Sequence, residues 1–291
     1  MKHLRFTKMH GCGNDYVYLD ALRDEIPDWK DMPELARRLS DRHTGVGSDG
    51  LIVLCGSKTA DAAMVMYNAD GSRAEMCGNG LRCTAKLAWD HGHVREKALR
   101  FETGAGILDL TLQIEGRRCL GATVVMGRPR LTPPSVPVVH PGLGPKLVLR
   151  IKIDGTHYPL LAVGMGNPHA VCFVDDPDHF PVHVVGAHIE RHRRFPHHTN
   201  VEFVARLADE CGLPVLRQRT WERGAGETLA CGTGACAVVV AAILTGRIPG
   251  REALVRLSGG DLRVTWPRDN APVVMSGPAV TVFEGSWPLR A

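Results

Sequence analysis

The sequence predicts an α/β (α+β) protein made of two pseudo-symmetric domains, each a mixed sheet or barrel around a central helix, with a site in the interdomain cleft. Three repeated landmarks predict it. GCGNDYVYLD at Gly11 is echoed by GMGNPHAVCFV at Gly164, which places Asn14 and Asn167 153 residues apart. AEMCGNGLRC is echoed by LACGTGAC, with Cys77 and Cys231 154 apart, and TGAGILDLTL by SGGDLRVTW, with Gly106 and Gly260 154 apart. Three landmarks in one order at nearly one offset mark an internal duplication, and a chain of 291 residues has room for two domains.

Each element follows from local pattern. A run rich in Val, Leu and aromatics leaves each GxGN segment, which predicts a strand after a tight glycine turn. Leu51 to Leu54 and Val201 to Val204 read as buried strands. After each cysteine the periodicity becomes helical, with Leu81, Ala85, Leu87 and Ala88 in one copy and Ala237 to Leu244 in the other. Gly92 and Gly246 supply C-terminal stops. The second helix is apolar almost all round, so it is expected inside its own domain. A proline-rich stretch from Gly127 to Gly155 places the crossover near Arg128. The expected halves are 1–127, joined by a C-terminal strand at 279–291, and 128–278.

Composition narrows the function classes. With 44% hydrophobic and 23% charged residues the chain is an ordinary globular sequence. A net charge of +4, and a basic run limited to Arg191–Arg194 without aromatic interleaving, argue against a nucleic-acid partner. No apolar run is long enough for a membrane span and MKHLRFTKMHG lacks a signal-peptide core, so no membrane partner and a cytoplasmic location are expected. Nine scattered cysteines fit free thiols in a reducing compartment.

The two glycine loops carry the chemistry. A cysteine at a helix N-terminus meets unpaired N–H groups and the positive end of the dipole, which favour a thiolate. The following glycines let those N–H groups approach and hold a carboxylate. A paired thiolate and thiol suit inversion of a carbon α to a carboxylate, because one base removes a proton and an acid returns one on the opposite face. Cys83 and Cys236, on the helices themselves, read as core residues. The C-x5-C and C-x4-C spacings fit a zinc knuckle poorly, and a Cys77–Cys231 disulfide would be oxidative inactivation. His188 and His192 in HIERH lack the metalloprotease glutamate position, and no phosphate loop or pyridoxal-phosphate lysine motif stands out. No metal and no cofactor are expected.

MHGCGNDY, YNADGSRAEMCGNGLRC, GMGNPHAV, HIERHRRFPHHTNVEF and WERGAGETLACGTGACA together resemble the diaminopimelate epimerase family over nearly the whole chain. The resemblance implies that family's fold and a homodimer. It also implies cofactor-independent interconversion of LL- and meso-diaminopimelate, a small-molecule substrate of lysine and peptidoglycan synthesis. It makes Cys77 and Cys231 the catalytic acid–bases, with Gly78, Asn79, Gly232 and Thr233 holding the reacting carboxylate. Asn14, Asn68, Asn167, Asn200, Glu222 and Arg223 match substrate-binding positions, and His169 and Glu222 match residues that tune the cysteines. Asn68 and Glu222 each stand nine residues before their cysteine, so duplicated positions have diverged in chemistry. Arg223 offers a bidentate clamp for a distal carboxylate. Trp221 stands where tyrosine is frequent, and Gly50 where some members carry glutamine. Cys12, near the inferred site, reads as a small residue filling a turn. Proline or hydroxyproline racemase-like chemistry and a non-catalytic amino-acid-binding module remain as alternatives.

Overall fold

A computed structural model describes residues 3–289; residues 1, 2, 290 and 291, counted within the expected halves, lie outside the described residues. The chain divides into two compact units, 1–124 with 276–291, and 125–275.

The first unit begins with β1 (His3–Gly11) and β2 (Asn14–Asp20), followed by α1 (Met32–Ser40), β3 (Gly50–Cys55), β4 (Ala62–Asn68) and the short β5 (Arg73–Ala74). Then come α2 (Gly78–Asp90), β6 (Ala98–Thr103), β7 (Gly106–Glu115) and β8 (Arg118–Gly127). The second unit runs β9 (Leu147–Ile153), β10 (Thr156–Gly164), β11 (Pro168–Phe173), α3 (Val182–Glu190), β12 (Asn200–Glu210), β13 (Leu213–Glu222) and β14 (Gly226–Thr228). It continues through α4 (Gly232–Leu244), β15 (Glu252–Leu257), β16 (Gly260–Thr265) and β17 (Val273–Pro278), and β18 (Val280–Pro288) returns to pair antiparallel with β1.

The duplication is visible in the pairing. β2 runs parallel to β3, and β11 parallel to β12; β3 and β4 pair antiparallel, as do β12 and β13. β4 is parallel to β6 and β13 to β15, and the hairpins β6–β7 and β15–β16 close each set. The matched glycines Gly106 and Gly260 both open the second strand of those hairpins at positive φ, 111° and 143°, where a side chain would be strained.

The first GxGN turn is a two-residue hairpin loop in which Gly11 pairs with Asn14. Cys12 and Gly13 between them both have positive φ, 56° and 79°, the signature of a type I′ turn whose twist matches the flanking strands. Cys12 is buried there.

Each 13-residue helix, α2 and α4, starts immediately after its cysteine. From Ala235 to Ala242, α4 is buried without interruption, so its weak amphipathicity reflects a helix enclosed on every side. The proline-rich stretch contributes one strand, β9, whose alternating burial packs Leu147, Leu149, Ile151 and Ile153 into the core of the second unit. α1, with Met32, Leu35, Ala36 and Leu39 facing inward, closes a core in the first unit against β2 and β3. Among the described residues, no helix is long and apolar enough to cross a membrane.

Candidate active site

In the first unit, Cys77 is the N-cap of α2, and its Sγ accepts the Gly80 N–H at 3.4 Å. The first-turn N–H groups of Gly78 and Asn79 have no intrahelical acceptor by helix geometry, which makes them an anion cradle beside the sulfur. Asn14, at the start of β2, places its Oδ1 3.3 Å from both Cys77 Sγ and Asn79 Nδ2. Asp49 fixes that orientation: its Oδ2 accepts from Asn14 Nδ2 at 2.7 Å and from Asp15 N at 3.0 Å.

Arg42 in turn bridges Asp49 and Asp15, each at 2.8 Å, and Lys8 pairs with Asp15. Burial, the largest single influence, would raise the Asp15 carboxyl, but the hydrogen bonds and positive charges of Arg42 and Lys8 together hold it below the usual range. Tyr16 is buried beside the sulfur; burial first, and the nearby Cys77 second, push its phenol well above its ordinary value and keep it protonated. Asn68, at the end of β4, is half-buried, and its Nδ2 donates to Ser72 Oγ at 2.9 Å.

In the second unit, Cys231 is the N-cap of α4, 5% exposed, with Thr233 Oγ1 3.5 Å from its sulfur. Burial pushes its thiol well above the ordinary value, and the charges of Glu222 and Glu202 push it further; Thr233 and the Gly234 N–H work in the opposite direction. The Glu222 carboxyl is itself raised by burial, opposed by hydrogen bonds from Thr228, at 2.5 Å, and from Cys231.

His169, fully buried on β11, has Nδ1 2.7 Å from Glu202 Oε1 and Nε2 2.9 Å from Asn167 Oδ1, so both ring nitrogens face oxygens and the ring cannot turn. Asn200 donates to Pro168 O and accepts the Arg223 N–H at 2.8 Å. The exposed Arg223 side chain rests on His197 O at 3.1 Å.

The structure thus gathers Cys77, Gly78, Asn79 and Asn14 in one unit. In the other it gathers Cys231, Thr233, Glu222, His169 and Asn167, with Gly232 opening the same helix and Asn200 holding the backbone of Arg223. Glu202, Asp49, Tyr16 and Thr228 are among the participants that were not singled out from sequence. Glu202 had a signal, a carboxylate inside the apolar strand VEFV. Asp49, Tyr16 and Thr228 had none, because their roles depend on which strands pair.

The loop glycines also have a second reason. A Cβ at Gly80 would lie 2.6 Å from Ile52 Cδ1, and one at Gly234 would lie 2.7 Å from Glu202 Oε1. These glycines let each helix settle onto its own strands; approach to a ligand is not their only demand. At Gly50 a Cβ would lie 2.2 Å from Tyr67 O, so β3 in this chain has no room for a side chain there. Trp221 donates to Glu190 Oε2 at 2.7 Å, which ties β13 to α3.

Among the described residues, one group of three has metal-ligand geometry: Asp20, His91 and His93, none of them in the set above. A separate cavity of about 670 Å³, with Arg5, Glu34 and Arg38 in its wall, is lined by none of the candidate site residues.

The sequence matches the family model described as diaminopimelate epimerase over residues 6–132 and 161–282. It is 45% identical to the diaminopimelate epimerase of Geobacillus thermodenitrificans, over 98% of this chain and 97% of that one. It is 48% identical to that of Leptospira biflexa, over 97% and 98% respectively. A probable proline racemase from Agrobacterium radiobacter superposes with a TM-score of 0.71 over 99% of this chain and 93% of its own, at 17% identity, a likeness of fold alone. With both halves of the duplication matched, the chain belongs to the diaminopimelate epimerase family.

Proposed function

We propose that the protein is a cofactor-independent isomerase that interconverts LL- and meso-diaminopimelate, with Cys77 and Cys231 as the two acid–bases. The observation that carries this reading is the pair of N-cap cysteines at equivalent points of a duplicated fold, each on a 13-residue helix. Family membership supplies the substrate: its relatives bear the name diaminopimelate epimerase. The halves 1–127 with 279–291 and 128–278 then serve as two epimerase half-domains, and the assembly is a homodimer in a cytoplasmic pathway to lysine and peptidoglycan precursors.

In this mechanism one sulfur, as thiolate, takes the α-proton. The resulting carbanion is stabilised as its charge spreads onto the carboxylate, held by N–H groups of Gly78, Asn79, Gly232 and Thr233 at the positive helix ends. The other sulfur, as thiol, returns a proton to the opposite face, so protons balance over one turnover. The buried Cys231, with Glu222 and Glu202 opposing its charge, rests as the thiol. By that assignment Cys77 is the partner that takes the proton. Asn14, Asn68, Asn167, Asn200 and Glu222 sort ammonium from carboxylate, and His169 with Glu222 tunes Cys231.

Arg223 holds the distal carboxylate. Its backbone is anchored by Asn200 while its guanidinium remains exposed. Purified, reduced protein without pyridoxal phosphate should convert LL- to meso-diaminopimelate and leave proline untouched. Arg223→Met should lower kcat/KM by roughly 10- to 150-fold, the value of a charged hydrogen bond of about 1.5–3 kcal/mol. Unchanged kcat/KM would remove Arg223 from the site, and racemisation of proline would replace the substrate.

A further inference from the structure

At the far end of α2 from Cys77, roughly 20 Å along a 13-residue helix, a second constellation has no part in the reaction above. His91 is the C-cap of α2, Gly92 follows at φ 77°, and His93 comes next, so a left-handed glycine turns the two imidazoles toward one point. That point is Asp20, the last residue of β2, whose Oδ2 lies 2.7 Å from both His91 Nδ1 and His93 Nε2. The ligand atoms of all three residues lie within 4.8 Å of one another.

We propose that Asp20, His91 and His93 form a binding site for one divalent transition-metal ion.

The surroundings are those of a built site. Asp20 is 5% exposed, and its other oxygen accepts the Leu22 N–H at 3.0 Å, which stops the carboxylate from swinging away. The His93 turn is secured by His93 N donating to Ala88 O at 2.9 Å. The second ring nitrogen of His91 lies 3.9 Å from Glu284 Oε1, which adds a negative charge nearby without a hydrogen bond. The two rings meet at 73° and are not stacked, so their nitrogens can converge on one ion.

Two imidazoles and one carboxylate select zinc, cobalt, nickel or copper over magnesium and calcium, which prefer oxygen donors. Ligand bonds of about 2.0–2.2 Å require the nitrogens to move from 2.7 Å to about 3.0–3.5 Å from the oxygen, the longer value for a tetrahedral ion. At 13% and 19% exposure, His91 and His93 have freedom for that shift. The ion would take the place of the ring protons that face Asp20, each imidazole then carrying its proton on the other ring nitrogen, and would leave positions open to water. Its role is structural: it joins the last residue of β2 to the end of α2, and the other ends of those two elements carry Asn14 and Cys77.

The test is a Co²⁺ titration of reduced, chelator-stripped protein without substrate, which separates it from any result on epimerisation. One Co²⁺ per chain is expected, with the absorption of nitrogen and oxygen ligation, no thiolate-to-cobalt charge-transfer band, and a rise in Tm. His93→Gln, at a part-exposed turn where circular dichroism should confirm folding, should weaken binding by at least about 10-fold. Asp20→Asn should do the same. Absence of binding, a thiolate band accounting for all of it, or equal affinity in His93→Gln would each reduce the triad to a hydrogen-bonded clamp.

Discussion

Cys77→Ser and Cys231→Ser are each expected to lower kcat for diaminopimelate epimerisation by about 10²–10⁴, the usual contribution of a positioned acid or base, while leaving the fold intact. The two halves of that expectation have separate causes. A serine hydroxyl is far less acidic than a thiol, so it serves poorly as a base and, at Cys77, cannot form the anion at working pH. Serine is nonetheless a preferred N-cap, and its oxygen can accept the same Gly80 N–H that the Cys77 sulfur accepts now. Thermal unfolding of Cys77→Ser should therefore match or exceed that of the parent. A variant that retained parental kcat would eliminate that sulfur from the reaction, and a variant that unfolded would show the cysteine to be a packing residue.

Glu202→Gln should shift the pH dependence of turnover. Glu202 is fully buried, binds His169 at 2.7 Å, and is one of two carboxylates that push the Cys231 thiol upward. Removing its charge lowers the pH at which Cys231 loses its proton. The alkaline limb of kcat/KM, where the resting thiol is lost, should therefore move to lower pH. Glutamine keeps an acceptor for His169 Nδ1, so stability should change little. Glu202→Ala leaves that buried nitrogen unpaired and should cost about 1–3 kcal/mol. A Glu202→Gln profile superimposable on the parent's would confine Glu202 to holding His169 in place.

The difference between these two predictions mirrors what the sequence could disclose. The cysteines, the GxGN turn at Gly11, and the hairpin-opening glycines Gly106 and Gly260 are local features whose chemistry needs only near neighbours, and the duplication stated each of them twice. The apolar helix α4 was legible because uninterrupted apolar sequence leaves no face for water. Asp49 and Tyr16 were not, since they meet Asn14 and Cys77 only once β2 pairs with β3 and α2 packs nearby. α1 and α3 went unremarked because, although they stand at matching places between the GxGN strand and the next buried strand, their own residues share no motif. β9 lay hidden in a segment whose prolines masked its alternating Leu and Ile. The tight packing at Gly80 and Gly234 was hidden for a related reason: each glycine answers to a side chain on a strand about 30 residues away in sequence, Ile52 and Glu202 respectively.

Reduced, metal-stripped protein should be incubated with LL-diaminopimelate in D2O without added cofactor, and the α-carbons followed by NMR with chiral separation of the products. Two-base epimerisation predicts deuterium at a single inverted centre, appearing with the meso product, because the proton returned comes from a solvent-exchanged thiol and not from the substrate. Meso product that retains the original α-hydrogen, or no exchange in protein shown to be folded and reduced, would contradict the assignment of Cys77 and Cys231 as an acid–base pair.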